Sequence, residues 1–159
     1  MLTATIVGLA SYHPAVARPE MDVERSIVKD DPGGSVNEFL QSLDYIERTG
    51  MKIKVDGYCA SACTLLLTKK IDFCVTKNAR FGFHQPFAAN QLGQIYYRIP
   101  FVVGAEKIWK IEFYGKYPAW VQKMIDSNGG VPSVYRGYKP SDMFWIEFEN
   151  LKKEIKVCL

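Results

Sequence analysis

An α/β fold with a mostly parallel sheet is predicted by three observations. Short apolar runs that read as strands alternate with helical periodicity in the order β-α-β-α-β. Breakers stand at the junctions, at Pro32-Gly33-Gly34, Gly50, Gly57 and Pro86. The chain has 159 residues, 48% hydrophobic and 23% charged, which suits one domain with a real core.

Taken in order, residues 25–29 (RSIVK) read as a short buried strand running into Asp30-Asp31-Pro32-Gly33-Gly34-Ser35. A helix follows, because Val36, Phe39, Leu40, Leu43 and Ile46 recur at spacings of three and four. Ser35 and Glu38 fit a capping box, and Gly50 fits the stop. Residues 51–57 (MKIKVDG) alternate like a strand that Gly57 ends. Residues 59–68, small and then strongly apolar, read as a buried helix. Residues 71–75 and 81–84 are further strands, separated by a turn at Asn78-Ala79. The second half is aromatic and more helical. Residues 105–114 and 118–126 are expected helices, Asn128-Gly129-Gly130 a turn, and Ser141 the cap of a last segment.

The N-terminus supports two readings. Residues 3–10 form a first strand, or they are the apolar part of an export signal ending at Ala15-Val16-Ala17, with residues 18–159 as the domain. The second reading implies a periplasmic or exported protein, the first a cytoplasmic one. No run reaches the ~18 apolar residues of a bilayer span, so no integral membrane segment is expected. The net charge of +3 includes no dense basic run, and nucleic acid is not an expected partner. Lys152, Lys153 and Lys156 read as a solvated helix face.

The chemistry concentrates in Gly57-Tyr58-Cys59-Ala60-Ser61-Ala62-Cys63. A strand that ends in small residues and turns into a helix exposes a hydroxyl at the helix's positive end. The N–H of Ala62 can then face a developing oxyanion. The same pattern also suits a plain N-cap serine. Gly33 and Gly34 follow a strand and precede a helix, so their backbone can approach a ligand closely and supply a second oxyanion donor. They also suit an ordinary tight turn. Neither a P-loop nor a dinucleotide fingerprint is present, and no cofactor is expected. His84 closes a strand before Gln85-Pro86, where its ring can be fixed; His13 has nothing around it to suggest a role.

Together these segments, PGGSV at 32–36, GYCASAC at 57–63 and FGFHQP at 81–86, resemble the catalytic core of the Clp protease proteolytic subunit. The resemblance covers about residues 26–87 well and the remainder loosely. The C-x-S-x-C form of the elbow is similar to bacterial envelope proteins with a Clp-like domain. The resemblance implies the spiral of ββα units shared with crotonases, here N-terminally short. It also implies a triad in the order serine, histidine, aspartate, acting on a peptide or ester. Ser61 would be the nucleophile and His84 the general base. Asp142, before an aromatic segment, would be the orienting acid, with Asp126 as the alternative. A homo-oligomer is a further implication. The chain departs from the family in its short N-terminal part, in its LKKEIKVCL ending, and in a stretch rich in tyrosine and tryptophan between His84 and Asp142.

The cysteines leave three possibilities. Cys59 and Cys63 can form a disulfide across Ser61, remain small buried thiols, or join Cys74 and His84 at a metal, although the spacing matches no common zinc site. Three functions compete. The first is a serine hydrolase, and the second a non-catalytic Clp-like binding or assembly module. The third is a crotonase-like acyl-CoA enzyme, which the Ser61 and His84 pair argues against.

Overall fold

The structure is a computed structural model and describes residues 26–159. The strand-or-signal expectation for residues 1–17, and His13, lie outside the described residues.

The chain is mixed α/β. Strands β1 (Ile27–Val28), β2 (Ile53–Val55) and β4 (Phe73–Val75) form one parallel sheet in the order β1-β2-β4. Strands β3 (Tyr58–Ala60), β5 (Arg80–Phe83) and β6 (Phe144–Glu147) form a second, in which β3 runs parallel to β5 and β6 antiparallel to it. The chain steps from the first sheet to the second three times. β2 passes through Asp56-Gly57 into β3, β4 through a turn into β5, and β1 reaches the second sheet at Asp31, which bridges Cys59 in parallel.

Helix α1 (Val36–Thr49) makes the first crossover. Ser35 Oγ accepts the Glu38 N–H at 3.5 Å, and Gly50, with φ of 65°, closes the end by donating its N–H to Ile46 O. Its buried residues, Phe39, Leu43 and Ile46, join Val28, Val55, Leu65, Leu66, Phe81 and Ile146 in one core. Each such side chain, fully buried, contributes about 1.5–3 kcal/mol.

Two expected elements are redrawn. The strand at 51–57 shortens to β2 and a second strand, β3, follows Gly57. The helix expected from Cys59 begins only at Ser61 and is a 3₁₀ helix to Thr68. Cys59 and Ala60 are held in extended form by Asp31 on one side and β5 on the other, and these ladders outweigh local helical preference.

In the second half, helix α2 (Ile99–Ile108) continues through a π turn (Trp109–Phe113) and a 3₁₀ turn (Tyr114–Lys116) before α3 (Ala119–Ser127). After a 3₁₀ turn at Val134–Arg136, the segment after Ser141 splits into β6 and a short helix, α4 (Phe148–Leu151). The lysines at 152, 153 and 156 therefore do not share one helix. The chain end instead runs beside β4, where Val75 N–H donates to Lys156 O and Cys158 N–H to Val75 O. A disulfide between Cys74 and Cys158 locks that contact. Among the described residues, no helix is long and apolar enough to cross a membrane.

Candidate active site

Ser61 sits at the corner where β3 becomes the 3₁₀ helix, with φ of 54°. A non-glycine residue in this left-handed region is strained, and surrounding structure must hold it. Three devices do so here. The Tyr58 carbonyl accepts the Asp31 N–H, and Asp31 O accepts the Ala60 N–H, both at 2.8 Å, fixing the incoming strand. Cys59 and Cys63 are joined by a disulfide that straddles Ser61, with Cα atoms 5.3 Å apart. Thr64 Oγ1 donates to Ser61 O at 2.6 Å and is itself 2.6 Å from the buried Tyr117 hydroxyl, whose ionisation burial pushes further above the usual phenol range. All four cysteines are paired, which leaves no thiolate for the metal alternative.

His84 follows the last residue of β5. Along this strand Phe81 and Phe83 turn into the core, while Arg80, Gly82 and His84 face the other way. The hydrogen bond of Gln85 N–H to Pro132 O pins the chain just beyond. The imidazole Nε2 lies 2.6 Å from Ser61 Oγ. His84 is 7% exposed, and burial lowers its pKa from 6.5 to about 4, so the ring is neutral at pH 7 with Nε2 able to accept a proton.

The Pro32-Gly33-Gly34 turn lies against the elbow. A Cβ on Gly33 would fall 2.7 Å from Ser61 Cβ and 2.8 Å from the Ala62 nitrogen, and its φ is 89°. Only glycine permits this approach. The Gly33 N–H itself is engaged, donating to Asp31 Oδ1 at 2.8 Å. The donors left to point at a ligand are therefore Gly34 N–H and Ala62 N–H. Gly34 has no backbone or side-chain acceptor among the described residues, and Ala62 precedes the helix's own donors.

Asp31 is a participant that sequence reasoning missed. It is 2% exposed, its Oδ2 is buried without a partner, and burial raises its pKa to about 6. The signal was present: an aspartate two residues before a glycine favours an Asx turn.

The two acids considered as triad members are engaged elsewhere. Asp142 Oδ2 accepts the Lys139 N–H at 2.8 Å, and its Oδ1 makes no hydrogen bond among the described residues. Asp126 accepts the Tyr114 hydroxyl at 2.8 and 2.9 Å. The structure brings Ser61, His84, Gly33, Gly34 and Ala62 together and joins neither acid to the imidazole. The register does carry Asp142 to the same end of the second sheet as His84, because Phe83 pairs with Phe144.

Ser61, His84, Gly33 and Gly34 line a cleft of about 810 Å³, walled by Tyr58, Phe87, Met143 and Trp145. Compared with protein-family models and with curated protein sequences, the chain matches neither.

Proposed function

We propose that this protein is a serine hydrolase of the peptidase type, with a Clp-like spiral of ββα units as its frame. The observation that carries the reading is the 2.6 Å contact of Ser61 Oγ with His84 Nε2, on a strained elbow facing a glycine turn. The repeated step of the chain from one sheet to the other supports the frame.

In the acylation half, His84 Nε2 takes the hydroxyl proton as Ser61 Oγ bonds to the substrate's carbonyl carbon. The carbonyl π electrons move to oxygen, and the N–H groups of Gly34 and Ala62 hold the oxyanion. The tetrahedral species collapses by breaking the bond to the leaving group, which receives the proton from His84. Water then attacks acyl-Ser61 with His84 again as base, releasing the acid and restoring the serine. Asp142 is the acid we assign to orient the imidazole. Both disulfides fit an oxidising compartment, and we place the protein in the periplasm or beyond on that ground.

A fluorophosphonate tests the reading. It should label the wild type and leave Ser61→Ala unlabelled; equal labelling of both would remove Ser61 from the mechanism. A non-catalytic binding or assembly module is the second reading. It is favoured by α2, where Ile99 and Val103 are 77% and 56% exposed. A folded wild type that takes up no probe would select it.

A further inference from the structure

Among the described residues, the cleft is lined by one cationic side chain, Arg80, and by no carboxylate. Arg80 shares a face of β5 with His84, four residues on, which places the two about 13 Å apart at the rise of a strand. Trp145 lies between them. A Cβ on Gly82 would meet its ring at 2.6 Å, so the absent side chain is what lets the indole lie across the strand. The Arg80 guanidinium carbon is 4.5 Å from the centroid of that ring and 6.0 Å from the centroid of Tyr58. Glu147 is its register partner on β6, yet Arg80 forms no ion pair among the described residues. Stacking on aromatic faces orients the guanidinium plane and leaves its N–H edge unspent. An oriented cation whose donors meet no acceptor, in a cleft lined by no anion among the described residues, suits a carboxylate.

We propose that Arg80 is a specificity-determining residue that binds a carboxylate of an extended peptide, three to four residues from the bond presented to Ser61. The strand sets the scale: Arg80 and His84 are four residues apart in sequence, about 13 Å between Cα atoms, and an extended peptide advances about 3.3–3.6 Å per residue. Trp145 supplies the apolar floor between the two ends. The position of the bond that is cut rests on the hydrolase reading; recognition of the carboxylate does not. An acidic side chain and a free chain end present the same group to the guanidinium.

Binding to the Ser61→Ala protein separates these sources. Ten-residue peptides without other charged side chains, carrying glutamate or glutamine at each position in turn, test the side chain. The same peptide with a free or amidated C-terminus tests the chain end. The anionic member of at least one pair should bind about tenfold more tightly at low salt and lose the advantage as salt rises. Arg80→Gln should abolish that preference, Arg80→Glu invert it, and Glu147→Gln enlarge it. Because each variant is judged by a ratio of two peptides, a smaller folded fraction cancels. Equal binding within every pair, no binding at all, or a preference that survives Arg80→Glu would overturn the proposal. A wild type that resists the fluorophosphonate while acid preference persists defeats only the hydrolase reading; labelling without acid preference defeats only this one.

Discussion

Asp31 Oδ1 accepts the Gly33 N–H at 2.8 Å, so the turn that faces Ser61 is held by a buried carboxylate. Asp31→Ala removes the acceptor and should lower kcat by about ten- to a hundredfold with little change in KM, the signature of weakened oxyanion stabilisation. Asp31→Asn keeps an acceptor in place and should stay within about threefold of the wild type. The comparison of the two variants under steady-state conditions checks the assignment.

The pH dependence of stability should be nearly flat between about pH 4 and 6, for a reason that mutation can expose. His84 falls from 6.5 to about 4 on folding, so its contribution is full above pH 6.5 and is lost as pH falls toward 4. Asp31 rises from 3.8 to about 6, so its contribution is full below 3.8 and is lost as pH rises through 6. Each displacement corresponds to about 3 kcal/mol, and the slopes oppose. Urea titrations should show Asp31→Asn gaining stability with rising pH across this window, and His84→Gln losing it.

Catalysis should follow the same lowered histidine. The acid limb of kcat/KM is expected near pH 4, not near 6.5, because burial keeps the imidazole unprotonated in the free enzyme. A limb centred at 6.5 would show that the ring is hydrated in solution.

Gly33→Ala and Gly34→Ala should differ sharply. Both methyls must be carried at positive φ, 89° at 33 and 155° at 34, but the one at 33 also meets Ala60 O at 2.6 Å, whereas at 34 nothing lies within 4 Å of it. Gly33→Ala should lose about 2–4 kcal/mol in denaturant melts and abolish probe labelling. Gly34→Ala should avoid that steric penalty.

Asp142→Asn should lower kcat strongly and Asp126→Asn should leave it within about threefold, if an acid orients His84 as in other serine triads. Harmless changes at both positions would make the site a dyad, which is how the hydrogen bonds stand in this structure.

The parts of the site that rest on local chemistry were legible in the sequence. Glycines at 33 and 34, the small-residue elbow around Ser61 and the strand-end His84 each carry a conformational requirement that a short window reveals. The Cys59–Cys63 bond was within reach for the same reason, since four residues bound its geometry. What escaped depends on long-range pairing. Cys59 reads as helical until Asp31 and β5 claim its backbone. Cys74 finds Cys158 only because the chain end lies along β4, and no local pattern encodes that. Arg80 drew no reading from the sequence because Trp145, which stacks on it, comes from a strand 65 positions later.

The Cys74–Cys158 bond encloses the chain across a sequence separation of 84 residues, including the exposed stretch with Leu92 at 83% and Ile99 at 77% exposure. A single backbone cut anywhere in that ring, by a foreign protease or by another copy of this protein, releases no fragment. On a gel the nicked chain keeps its mass without reductant and separates only when thiols are added. His84 lies inside the ring and Ser61 outside it, so the covalent closure also keeps both halves of the pair on one molecule after such a cut.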